Sequence, residues 1–169
     1  MREIKFRAWD KNKRNMLNNV IPFFNQHTNE LDYLVTDYHP SGYGMTELEL
    51  EYDGFLAYED DENMPYEVMQ YTGLKDKTHL KDIVFGDVVI VDSPKGPFKA
   101  KITQEVGAFG IVAIDGQIID YFPDNWNDDF MALLDLYWNF NNDDNVIEEF
   151  EVIGNIYENP ELLKTKKSS

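Results

Sequence analysis

The chain has 169 residues, 43% of them hydrophobic, with eleven Phe, ten Tyr, three Trp, no Cys and a net charge of −17 at pH 7. That length holds one domain of ordinary size or two very small ones, and the aromatic content excludes a disordered chain. Without Cys there is no disulfide framework, thiolate chemistry or thiol-based zinc site, and an acidic balance this heavy argues against direct binding of nucleic acid, which rests on Lys and Arg neutralising phosphates.

The charge is segregated. Residues 15–74 contain no Lys or Arg against twelve acids, and residues 102–163 none against fourteen. Basic residues gather in 1–14, in the mixed stretch 75–101 and in the tail at Lys164, Lys166 and Lys167. A field of this sign attracts a basic protein partner and speeds its encounter; the plainer reading is that it keeps the chain in solution. The start of the chain lacks a signal-like apolar run, and no apolar run is long enough to span a bilayer. The expectation is a cytoplasmic protein with no membrane contact.

The chain opens with Ile4-Lys-Phe-Arg-Ala-Trp9, whose alternation reads as a half-buried strand with Ile4, Phe6 and Ala8 on one face. Asp10 to Asn15 is a polar turn, and Met16, Leu17, Val20 and Ile21 start a return strand, giving an opening β-hairpin. Asn18 to Gly44 shows little periodicity. Thr46 to Asp53 alternates strictly and places Glu47, Glu49, Glu51 and Asp53 on one face of a strand, Leu48, Leu50 and Tyr52 on the other. Glu59 to Pro65 is an acidic loop and linker, so the expected division is an N-terminal β-rich region, 1–64, and a second region, 65–169.

Strand patterns resume at Tyr66 to Tyr71, at Ile83 to Phe85, at Val88 to Val91 and at Phe98 to Val106. Phe109 to Ile114, the turn pair Asp115-Gly116 and Gln117 to Phe122 predict a hairpin with a two-residue type I′ turn. One helix is predicted over about 128–140, capped by Asn127 or Asp128, with Phe130, Leu133, Leu134, Tyr137 and Trp138 along one face. That face is read as core, with docking of a partner as the alternative. Phe150, Val152, Gly154 and Ile156 form a closing strand. Several short strands with Gly/Asp turns and one late helix fit a mainly β chain ending in a small barrel with an inserted helix. Apolar edges of such a barrel are compatible with a homo-oligomer.

No chemistry stands out. Asp87 in Phe85-Gly86-Asp87-Val88-Val89 reads as a turn carboxylate, because one acid without clustered partners makes a poor metal site. His27, His39 and His79 are scattered and read as surface residues. The acid pairs and triplets at Asp60-Asp61-Glu62, Asp128-Asp129, Asp143-Asp144 and Glu148-Glu149 match no calcium loop; a carboxylate-based hydrolase would need two of them to meet in space. No catalytic residue, cofactor or metal is assigned. The sharpest binding candidate is the row Glu47, Glu49, Glu51 and Asp53. Its carboxylates repeat about every 6.5–7 Å, roughly half the density of phosphates along one DNA strand, so a neighbouring acidic strand would make it resemble nucleic acid. Otherwise it is the wet face of an amphipathic strand.

Three segments together, Lys5-Phe-Arg-Ala-Trp-Asp-Lys11, Gln70-Tyr-Thr-Gly-Leu-Lys-Asp-Lys77 with Gly86-Asp-Val-Val89, and Val152-Ile-Gly-Asn-Ile-Tyr-Glu-Asn-Pro-Glu-Leu-Leu163, resemble the YopX family of phage and prophage proteins. The resemblance implies an SH3-like barrel from about Tyr66 onward, an N-terminal β-rich part before it, and no catalytic residues to carry over. The family's Gly-containing turn is missing from Lys77 to Asp82, which implies a reshaped turn there. The resulting expectation is a non-enzymatic phage accessory protein that binds another protein, with mimicry of nucleic acid as the narrower alternative.

Overall fold

The computed structural model describes residues 4–35, 55–57, 65–122, 129–139 and 145–165. The chain is mainly β and divides into two compact units, Glu3–Gln70 and Tyr71–Ser169. Among the described residues no helix is long and apolar enough to cross a membrane.

In the first unit, β1 (Phe6–Asp10) and β2 (Asn15–Phe24) form the expected antiparallel hairpin. Asp10 makes its turn: Oδ1 accepts the N–H groups of Asn12 and Lys13, each at 2.9 Å, an Asx-type arrangement that closes the chain on itself. Strand β3 (Leu31–Val35), in a stretch without periodicity, pairs with β2, and β4 (Phe55–Ala57) pairs with β3. On the other side of β1 runs the first half of β5 (Tyr66–Asp76). A small core gathers on Ala8, Val20 and Leu34, with Phe6, Leu17, Leu31, Tyr66 and Val68 against it. Ile4, expected on the buried face, precedes β1 and is exposed. It has no paired strand beneath it.

The second unit begins in the same strand. The second half of β5 pairs with β6 (Asp82–Val84) and, in parallel, with β11 (Val146–Ile147). A five-stranded antiparallel sheet follows, in the order β10 (Phe130–Ala132), β9 (Ala108–Ala113), β8 (Phe98–Glu105), β7 (Asp87–Val91) and β12 (Phe150–Asn155). Its core holds Val89, Val91, Ile102, Ile111, Met131 and Phe150, all essentially sealed from solvent.

Among the described residues this sheet does not close into the expected barrel, and each edge shows why. Strand β10 has only three residues and turns directly into helix α2 (Leu133–Asn139). On the opposite edge, the outward backbone groups of β12 already have partners in the β5–β6 turn. The Phe150 carbonyl accepts Lys77 N–H at 2.8 Å, the Val152 N–H donates to Asp76 Oδ2 at 3.1 Å, and the Val152 carbonyl accepts Lys81 Nζ at 2.8 Å. Asp76 is fully buried, and its Oδ1 takes the N–H and hydroxyl of Thr78. Outside the turn, Glu151 lies 2.6 Å from Lys77 Nζ. That hydrogen bond is the main reason the Lys77 pKa stands above its ordinary value; burial, the next largest influence, acts against it, and the charges of Glu151, Asp92 and Asp76 add to it.

Two local expectations are overturned. Asp115-Gly116 is not a hairpin: neither residue has the positive φ that a type I′ turn needs, and Ile118–Tyr121 is a single helical turn, α1. Tertiary packing wins there, because helical spacing turns Ile118, Tyr121 and Phe122 inward. Ile118 is fully buried, Tyr121 stacks on Phe98 with centroids 3.9 Å apart, and Phe122 meets Phe98 edge-on at 6.0 Å. The predicted helix over 128–140 starts at Leu133, and its expected caps, Asn127 and Asp128, lie outside the described residues. Phe130 belongs to β10, whose ring lies across Gly110 of β9; a Cβ at Gly110 would strike that ring and come within 2.5 Å of the Met131 carbonyl.

The type I′ geometry occurs instead at Val106-Gly107, between β8 and β9, with φ of 48° and 79°. A β-branched residue in the left-handed region is strained, and Val106 is fully exposed, so no burial offsets the strain. Val106→Asn is expected to stabilise the fold by about 1 kcal/mol, read as a higher urea midpoint with an unchanged m-value. Asp76→Ala should cost roughly 3 kcal/mol, since it strips acceptors from Val152 and Thr78. Asp76→Asn should recover only part, because its amide would set a donor against one of those donors; full recovery in the same denaturation experiment would refute the edge-sealing role.

Candidate functional site

The sequence-predicted row Glu47, Glu49, Glu51 and Asp53 lies outside the described residues, as do His39, Asp60-Asp61-Glu62, Asp128 and Asp143-Asp144. His27 is exposed, and the exposed His79 has Nε2 3.3 Å from Glu148 Oε1. Among the described residues no group of three His, Asp or Glu side chains gathers as a metal site. Asp87 is a turn carboxylate, as its sequence context implies: it is buried, and Oδ2 accepts the Val84 N–H at 2.8 Å. Gly86 before it takes a φ of 86°, the left-handed turn conformation glycine allows.

The second unit contains a cavity of about 330 Å³ bounded by β5, β9 and α2. Among the described residues its walls are mostly apolar: Leu74, Ala108, Phe109, Leu133, Leu134 and the ring of Tyr137. Among the described residues the lining holds no carboxylate. Of the residues with polar groups in the described lining, Thr72 is committed to the fold. Its hydroxyl donates to the Ile83 carbonyl at 2.8 Å and accepts the Leu74 N–H at 3.1 Å. Another, Asn145, accepts the Lys75 N–H at 2.7 Å through its backbone carbonyl.

Helix α2 divides the apolar face expected over Phe130 to Trp138. Leu133 and Leu136 are buried at i, i+3 spacing, whereas Leu134 is 63% exposed on the cavity rim. Ala108 is exposed on the opposite wall, next to half-buried Phe109. Sequence reasoning found Leu133, Leu134 and Tyr137 through their helical spacing, with docking as the second option. It missed Leu74, Ala108 and Phe109, whose only signal is membership of strands; their meeting is a product of topology.

The chain matches the family model described as YopX protein over residues 5–164. It belongs to the YopX family. Protein EF1440 from Enterococcus faecalis is 28% identical with a TM-score of 0.60, over 97% of this chain and 100% of that one. Protein yopX from Bacillus subtilis is 20% identical with a TM-score of 0.52, over the same shares of the two chains, a likeness of fold alone. No curated protein matches the chain. The segments that carry the YopX resemblance hold Asp76, Asp87 and Asn155, and all three side chains serve turns. Asn155 Oδ1 accepts the N–H groups of Tyr157 and Glu158 at 3.0 and 2.9 Å.

Leu133 and Leu134 are neighbours with opposite roles, and truncation separates them. Leu133→Ala is expected to cost about 2–4 kcal/mol by opening the core. Leu134→Ala should change stability by no more than about 0.5 kcal/mol. Equal losses in thermal or urea unfolding would show that Leu134 is core and not rim.

Proposed function

We propose that this YopX-family chain is a phage or prophage accessory protein acting as a non-enzymatic, acidic protein-binding module in the bacterial cytoplasm. One observation carries the reading: an apolar cavity whose Thr72 hydroxyl is already committed to the fold, set in a stretch of chain without cations. From Ala108 to Asn145 there are eight Asp and no Lys or Arg. A reaction needs polar groups aimed at a substrate, whereas this lining offers shape and apolar contact. An acidic surface around an apolar contact favours a basic protein, because complementary charge speeds encounter and penalises acidic competitors.

The intact chain, immobilised and exposed to bacterial lysate, should retain a protein partner at low ionic strength and release it as salt rises, since the Debye length shrinks from about 10 Å at 0.1 M to about 3 Å at 1 M. Failure to retain any salt-sensitive protein would refute the reading.

A further inference from the structure

We infer that the cavity bounded by β5, β9 and α2 is an anchor pocket that takes one large apolar side chain from a partner segment whose flanking residues are Lys or Arg. The inference rests on the protein-binding reading and names the partner's chemistry at that site.

Three observations converge on it. The rim is apolar and accessible: Leu134 is 63% exposed, and Ala108 is exposed across from it. Leu133, which lines the cavity, is 2% exposed and part of the core, so an inserted group meets a packed wall there. The hairpin that supplies Ala108 and Phe109 also carries Val106 at its tip, fully exposed and with φ of 48°. An apolar β-branched residue held there in a strained conformation gains nothing from the fold's own core; contact with a partner gives it a role.

Charge complementarity selects the occupant. The cavity's walls from β9 onward lie in the stretch from Ile102 to Leu163 that contains no Lys or Arg. Three described lysines of the unit engage other groups: Lys75 with Asp82, Lys77 with Glu151, and Lys99 with Asp115 and the carbonyls of Leu162 and Lys164. An uncharged apolar segment would fill the cavity without using this field, and an acidic one would be repelled. The volume of about 330 Å³ is at the low end for ligand pockets, a size suited to a single anchor residue.

The test uses the isotopically labelled full chain and a short Lys/Ser peptide carrying one central Phe, followed by NMR. Expected are shifts in Phe109, Leu133, Leu134 and Tyr137, affinity falling with salt, loss of those shifts when the central Phe is replaced by Ser, and binding at least about tenfold weaker when Lys is replaced by Gln. Leu134→Glu should weaken the Phe peptide by about tenfold even though it adds negative charge. Stronger binding by that variant would mean attraction by charge alone and would overturn the proposal. So would equal binding of the Phe and Ser peptides, or shifts confined to residues away from the cavity. Equal, salt-independent binding of the Gln peptide, or the same shifts from phenylalanine amide alone, would make this a site for neutral apolar ligands and overturn the basic-segment assignment. Capture from lysate of one salt-sensitive partner equally by wild type and Leu134→Glu would remove the cavity and leave the protein-binding reading standing. Capture of none, with the peptide still seated in the cavity, would do the reverse.

Discussion

The outer edge of β12 is sealed by a buried carboxylate, and the architecture of the second unit depends on that seal. An exposed strand edge invites another strand. Here Asp76, Lys77 and Lys81 meet the outward groups of Phe150 and Val152 from a turn. The same few residues close the β5–β6 hairpin, where the Asp76 N–H donates to the Lys81 carbonyl at 3.0 Å, and stand beside β11, whose Ile147 pairs with Asp76. A buried acid is tolerable only when its oxygens are occupied, and both of these are. Asp87 and Asn155 repeat the solution at the β6–β7 and β12 turns. Segments that look functional because they are distinctive are therefore distinctive for folding. Each commits a short polar side chain to backbone that would otherwise lack partners.

The opposite edge is settled differently, and the cavity follows from it. Gly110 lets the Phe130 ring cross β9, which holds the short β10 in register with Phe130 opposite Val112 and Ala132 opposite Gly110. The change from strand to helix between Ala132 and Leu133 then fixes the rotation of α2. Leu133 and Leu136 point into the core and Leu134 points out. A single junction thus produces both a packed wall and an apolar rim, without any residue chosen for chemistry.

Much of this was legible in the sequence. Alternation located the opening hairpin and β12, because period 2 survives wherever one face is buried, and β7 was legible as a short continuous apolar run. The Gly86-Asp87 turn was legible from its residue types. Two local failures share one cause: a strong local signal was overruled by distant packing. Asp115-Gly116 has good turn chemistry, but burial of Ile118 and stacking of Tyr121 on Phe98 favour a helical turn after it. Phe130 fits the helical face by spacing, yet Gly110, twenty residues earlier, gives it a place on a strand. Strand β3 escaped because its paired faces lack clean alternation. Of the cavity, only the share contributed by α2 was legible. Nothing local in Leu74, Ala108 or Phe109 says that they converge.

The acidic surface and the apolar cavity do different physical work in the proposed binding. Charge acts at a distance of about 8–10 Å at ordinary salt and sets encounter rate and partner sign, but exposed ion pairs contribute only about 0–1 kcal/mol each. A net charge of −17 would therefore attract many basic proteins and hold none of them selectively. Apolar burial has the opposite character. It is short-ranged and contributes about 25 cal/mol per Å² of surface removed from water, so one large side chain seated against Leu133, Leu134 and Phe109 supplies residence time that the field cannot. Shape then does what charge alone does not: it separates one basic segment from another. That division explains why an exposed leucine and a strained, exposed valine are compatible with so acidic a chain.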